Sequence, residues 1–268
     1  MGEPVDSYNA TYSRFDHAVV TRVRREAFGE DIGQNSWMTA DECRMYCAWL
    51  GLGPESRLLE VGCGSGGPAI FIARTTGAHV TGVDINPHGI AAGNAMARTE
   101  HLEGRVHIAL VDAGSALTFA DASFDALLCV DAINHLPGRL DVLREWRRAL
   151  RDGGRLVFTD PVIATGLLSN EEIAVRSSIG FYLFSPPGED ARLIGEAGLT
   201  LERAEDMTEN MAAISQRRHN ARLRAQDELL PLEGEQTYHG QQRFLAMVHR
   251  LASERRLSRF AFLVRKPE

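Results

Sequence analysis

The 268-residue sequence predicts an α/β protein built on a doubly wound, seven-stranded, mostly parallel sheet. Three observations carry the prediction. From Arg57 onward, short apolar runs alternate with longer helical patterns, as when crossover helices join parallel strands. The first run, residues 58–61, passes into Gly62-Cys63-Gly64-Ser65-Gly66-Gly67, a turn glycine-rich enough to bend sharply into the helical pattern that begins near Ala69. The final apolar run, residues 259–264, suits an antiparallel strand that closes the sheet.

In chain order, strands are expected at 57–62, 79–84, 106–111, 124–130 and 154–160, with two more over 199–204 and 259–264. Helices fall at 66–76, 87–101, 139–151 and 189–198, the third stopped by Asp152-Gly153-Gly154. Residues 1–50 carry helical patterning, near 12–28 and 39–51, and Thr39 with Glu42 forms a capping box for the second helix. This region is read as a helical cap or lid on a domain spanning 51–268. The domain has two insertions. Residues 161–188 hold Phe181, Tyr182 and Phe184 and are expected to cover a substrate; a structureless stretch of that length inside a compact domain is usually functional, and its aromatic content argues against disorder. Residues 208–256 are helical and carry Arg217, Arg218, Arg222 and Arg224, either a solvated face or an anion site.

The net charge of −7 and pI near 5.7 argue against a nucleic acid gripped through its backbone and favour a small-molecule partner. No apolar stretch reaches the roughly 18 residues of a membrane span, so no membrane partner is expected. The four cysteines form no paired framework and read as reduced, buried thiols of a cytoplasmic protein. Cys43 and Cys47 lack the companions zinc would need, and no metal is expected. The sequence leaves the oligomeric state undetermined.

The glycine turn is the candidate ligand site, because its backbone can approach a ligand closely and the helix start offers free N–H groups. Its spacing also fits a dinucleotide fingerprint. Glu60 weighs against that reading, since a carboxylate there would repel a pyrophosphate and suit a cationic group. In an open parallel sheet, ligands bind beyond the carboxyl ends of the strands. Polar residues expected at those ends are Glu60, Asp84 (about twenty residues after Gly62), Asp112, Asp131 with His135, and Asp160. His135 is the one histidine expected at such an end beside the glycine turn, and it could take a proton from an attacking amine or hydroxyl while Asp131 orients the ring.

Glu60 and the three alternating glycines resemble motif I of the class I S-adenosylmethionine (SAM) methyltransferases, with a Rossmann-like fold. The resemblance is close over about residues 55–160. It implies SAM as cofactor, with Glu60, Gly62, Cys63 and Gly64 at the methionine half, Asp84 at the ribose, Ile85 on the adenine face, Asp112 and Ala113 at the adenine amino group, and Val130 beside the methionine. Asp131-Ala132-Ile133-Asn134-His135-Leu136 is similar to a segment of phosphoethanolamine N-methyltransferases, and the chain is broadly similar to enzymes acting on glycine and sarcosine. The phosphoethanolamine likeness implies catalytic roles for Asp131 and His135. Phe28-Gly29-Glu30 resembles the start of their cofactor-covering segment, which here ends at Trp37. Pro161 and Arg24 depart from the tyrosines of that family's phosphobase site. The reading is a methyltransferase acting on a nitrogen or oxygen of a small molecule by in-line displacement. An NAD-dependent oxidoreductase and a non-catalytic SAM-binding subunit are the alternatives.

Overall fold

A computed structural model describes residues 8–268, so the first seven residues of the expected 1–50 cap lie outside the described residues. Seven strands, β1 (Arg57–Val61), β2 (His79–Asp84), β3 (Val106–Leu110), β4 (Phe124–Cys129), β5 (Leu150–Ala164), β6 (Thr200–Asp206) and β7 (Leu257–Arg265), form one sheet in the order β3-β2-β1-β4-β5-β7-β6. The first five pair in parallel, and β7 runs antiparallel between β5 and β6. The chain winds outward from β1 to β3, then returns to β4 on the other side of β1. That reversal leaves a crevice at the carboxyl ends of β1 and β4.

Alternation along each strand supplies both faces of the sheet. Leu58, Leu128 and Val157 point to one face, under α3 (Ala40–Leu50), α4 (Gly67–Thr76) and α5 (Pro87–Thr99), packing on Tyr46, Ile70, Phe71 and Ala97. Leu59, Val61, Leu127 and Phe158 point to the other, where α6 (Arg139–Ala149) and α8 (Glu189–Glu196) contribute Leu143, Trp146 and Ile194. The Thr39–Glu42 capping box is formed, each side chain bonding the other residue's backbone N–H.

A further apolar cluster lies off the sheet. Phe28 of α2 (Ala18–Phe28) and Trp37 meet Ile214 of α9 (Thr208–Arg224) and Phe244, Leu245 and Val248 of α11 (Glu235–Ser253). With α1 (Tyr8–Tyr12), α7 (Asn170–Arg176) and α10 (Gln226–Glu233), these elements crown the carboxyl edge of the sheet.

Three expectations need correction. The helix expected at 12–28 starts only at Ala18, because Tyr12 closes the separate α1 and His17 accepts the Val19 N–H to start α2 afresh. The helix expected to reach 151 ends at Ala149, since Leu150 pairs with Phe124 and extends β5 backward. Residues 161–188 are no long loop: β5 continues to Ala164 and α7 follows, leaving 165–169 and 177–188 as the irregular parts. Among the described residues, no helix is long and apolar enough to cross a membrane.

Candidate active site

A cavity of about 660 Å³ opens over the carboxyl ends of β1, β2 and β4, beneath α1, α9, α11 and the 177–184 stretch. At its floor, Gly62 takes φ 70°, and a Cβ there would stand 2.5 Å from the Cβ of Ala132, so only glycine lets the turn pass under the loop after β4. Asp84 ties the turn together: Oδ2 accepts the Gly64 N–H at 2.8 Å and Oδ1 the Asn86 N–H at 2.8 Å. Glu60 is 3% exposed, and its Oε2 has no hydrogen-bond partner. Burial, and then the neighbouring Asp84 charge, push its carboxyl up to about 8.

Cys63, Ile85, Asp112, Ala113, Val130 and Trp37 line the same cavity with Glu60, Gly62 and Asp84. Ile85 is 66% exposed at the cavity mouth. Asp112 accepts the Gly114 N–H at 2.9 Å and stands at the rim. Gly64 is not in the wall. Tyr12 packs over it, and its N–H is spent on Asp84.

His135 closes a single 3-10 turn, Ile133–His135. Its Nδ1 lies 2.5 Å from the carbonyl oxygen of Phe181, which only accepts, so Nδ1 holds the proton and Nε2 presents a lone pair. The Tyr8 hydroxyl is 3.2 Å from that Nε2. Burial holds the imidazole below its ordinary 6.5; the Phe181 carbonyl opposes this, and the Arg176 charge adds to the depression. The ring is therefore a neutral base at neutral pH.

The expected orientation of His135 by Asp131 is not what the geometry gives. Asp131 accepts from the Trp37 N–H at 2.8 Å, the Thr159 hydroxyl at 2.6 Å and Arg259 Nε at 2.7 Å. Those three donors consume the carboxylate, and the Phe181 carbonyl positions the ring instead. Phe181 and Tyr182 line the cavity, the Tyr182 ring centred 4.5 Å from that of His135. Phe184 does not, because it packs with Val162, Leu251 and Leu257 beneath the insertion.

The arginines of α9 divide. Arg222 is paired with Glu233 at 2.6 and 3.0 Å, Arg224 with Glu26 at 2.7 Å, and Arg217 is exposed. Arg218 lines the cavity, its guanidinium carbon 5.9 Å from the Trp37 ring centroid. Sequence reasoning singles out neither Tyr8 nor Arg176, both of which line the wall beside His135. No local pattern marks them, since each arrives from an element distant in sequence.

Residues 59–158 match the family described as "Methyltransferase domain". Over these residues the chain is similar to methyltransferase domains. Among curated relatives, Methyltransferase GfsG of Streptomyces halstedii is 36% identical over 67% of this chain and 64% of its own length. The 27-O-demethylrifamycin SV methyltransferase of Amycolatopsis mediterranei is 34% identical over 60% of each. The matches thus span about three fifths of these relatives' lengths. A putative sarcosine dimethylglycine methyltransferase from Galdieria sulphuraria superposes with TM-score 0.77 at 20% identity, covering 85% of this chain and 84% of that one. Phosphoethanolamine N-methyltransferase 2 of Haemonchus contortus gives TM-score 0.80 at 21% identity over 98% of this chain and 61% of its own. These two likenesses show the class I methyltransferase fold that the motif resemblance implies, and the strand order agrees with it. Among the described residues, no group of three or more His, Cys, Asp and Glu side chains is placed to hold a metal.

Proposed function

We propose that the protein transfers a methyl group from S-adenosylmethionine to a nitrogen or oxygen of a small-molecule acceptor, with His135 taking the acceptor's proton. The observation that carries this reading is continuity: one cavity joins the unpartnered Glu60 carboxyl to the Nε2 lone pair of His135.

The residues present fit the cofactor. Glu60 Oε2 is a buried acceptor lacking a donor, which an ammonium group would supply. Asp84 stands at the end of β2 for the ribose hydroxyls, Ile85 offers an apolar face to the adenine, and Asp112 with Ala113 stands at the end of β3 for its amino group. Gly62, Cys63 and Val130 shape the methionine end, and Gly64 acts through the turn. Bound there, SAM supplies a methyl group already activated on a sulfonium.

The protein's own work is alignment, exclusion of water and acceptance of one proton. Tyr182 and Phe181 wall the acceptor side, Trp37 closes the cap side, and His135 is in the tautomer that accepts at Nε2. We assign residues 8–50 with the helices of 208–253 as the cap, and the remainder as the catalytic domain. The buried free thiols Cys43, Cys47, Cys63 and Cys129 suit a reducing compartment, and we place the protein in the cytoplasm. The decisive experiment is calorimetric titration with SAM, S-adenosylhomocysteine and NADH. One saturable site for the first two and none for NADH is expected; absence of SAM binding overturns the reading.

A further inference from the structure

Arg176 ends α7 with 1% of its surface exposed, yet among the described residues neither its Nε nor its Nη1 has a hydrogen-bond partner. Arg218 likewise leaves its Nε unpartnered in the same cavity. Arg218 is half-buried, and the buried arginines other than Arg176 are matched: Arg24 with Asp31, Arg139 with Asp160 and Asp190, Arg222 with Glu233, Arg259 with Glu42 and Asp131. A guanidinium stays charged in any protein, so burying one without a carboxylate partner forfeits hydration that aromatic contacts alone return only in part. Two on one cavity wall mark a place where an anion would be taken up.

No ion pair joins a carboxylate of that cavity to either cation among the described residues, and Asp112 accepts the Gly114 N–H at the rim. Glu233 is held by Arg222 and Asp131 by Arg259, while Glu60 and Asp84 belong to the glycine turn. Around the two cations the wall is aromatic. The Arg176 guanidinium carbon sits 4.4 Å from the Tyr182 ring centroid and 5.1 Å from that of Phe244, and the Trp37 ring beneath Arg218 stacks on Phe244 at 6.3 Å. Contacts through a guanidinium's face leave its N–H fork, which lies in the plane, for a planar or tetrahedral oxyanion. Burial pushes Arg218 down to about 10, its neighbours Arg222 and Arg24 adding to the strain, and an incoming negative charge relieves it.

We infer that this wall is an oxyanion subsite: the acceptor carries a carboxylate or phosphate group that pairs with Arg176, with Arg218 adding a second positive charge. Arg176 and His135 both pack on the ring of Tyr182, so the charged group and the atom losing its proton lie within about one side chain of each other. Neutralising Arg176 also removes a charge that weakens His135 as a base. The assignment of the anion to a methyl acceptor rests on the function proposed above; anion binding itself is measurable without methyl transfer.

The probes are inorganic phosphate and acetate, titrated into the arginine-¹⁵N-labelled protein with and without S-adenosylhomocysteine, following guanidinium Nε–Hε resonances, with sodium chloride at matched ionic strength as the blank. Two arginine resonances are expected to shift saturably, and Arg176→Lys and Arg218→Lys each remove one of them. Arg176→Met weakens the tighter anion by roughly tenfold or more, whereas Arg217→Gln leaves it unchanged. The anion that saturates at lower concentration distinguishes a carboxylate from a phosphate acceptor. Shifts that follow the chloride blank, or a saturable site indifferent to Arg176→Lys, overturn the subsite. Should Arg176→Met fail to fold, the wild-type titration and the lysine variant still decide. Saturable anion binding without S-adenosylhomocysteine binding would sink the methyltransferase reading alone, and the converse would sink the subsite alone.

Discussion

Arg259 Nε donates to Asp131 Oδ1 at 2.7 Å while its Nη1 bridges both oxygens of Glu42 at 2.9 and 3.0 Å, so one fully buried guanidinium on β7 holds the loop after β4 to the helix α3. Asp131 in turn keeps φ 52° and receives the Trp37 N–H, which anchors the cap segment. Asp131 thus ties the loop that carries His135 to both the cap segment and β7.

Removing that guanidinium leaves two buried carboxylates without a counter-charge. Arg259→Met is expected to cost about 3–5 kcal/mol in unfolding free energy, the range found when one partner of a buried pair is deleted. Urea unfolding followed by circular dichroism measures it; a loss under about 1 kcal/mol, the ordinary worth of a surface pair, would show that the network is dispensable.

His135→Ala is expected to keep SAM affinity and lose on the order of 10²-fold in kcat. In the proposed reaction the neutral ring is the active form. Turnover should therefore fall as pH drops through a midpoint below 6.5 and stay level above it, since burial lowers the imidazole's proton affinity. A profile without that limb, or kcat comparable to wild type, would remove His135 from proton transfer.

Glu60 predicts a proton signature of binding. With its carboxyl raised to about 8 in the unliganded protein, it is protonated near neutrality. An ammonium partner favours the carboxylate, so SAM binding expels a proton, and affinity rises with pH until about 8 before levelling. Calorimetry in buffers of different ionisation enthalpy reads the proton count directly. Glu60→Gln should abolish the release and weaken binding.

Asp84→Ala loses both the ties within the glycine turn and the proposed ribose contact. We expect SAM affinity to fall by roughly ten- to a hundredfold, matching about 1.5–3 kcal/mol for a charge-assisted hydrogen bond. Unchanged affinity in a folded variant would take Asp84 out of the site.

How far the sequence went depended on the range of the interactions involved. The strands and the glycine turn are local: Leu58 and Leu59 alternate between faces, and Gly62 must be glycine because of its own φ and one neighbour. Those features were legible. Phe184 was misread because three residues of one aromatic run face different ways, and periodicity in an irregular segment does not say which. The partner of His135 was misread because Asp131 lies four positions away, whereas the Phe181 carbonyl arrives from 46. Arg176 was invisible for the same reason: among the described residues no carboxylate pairs with it, which only packing reveals.

The cap cluster joins Phe28 and Trp37 to Ile214, Phe244 and Val248, and the ion pair between Glu26 and Arg224 closes across 198 positions. During synthesis, α2 therefore leaves the ribosome with its apolar stripe exposed and waits until most of the chain has been made before its partners exist. The parallel sheet below needs only residues up to 164 to form its first five strands. Translation thus separates scaffold from pocket in time, and the interval between them is when the nascent protein is most exposed to chaperones and to aggregation.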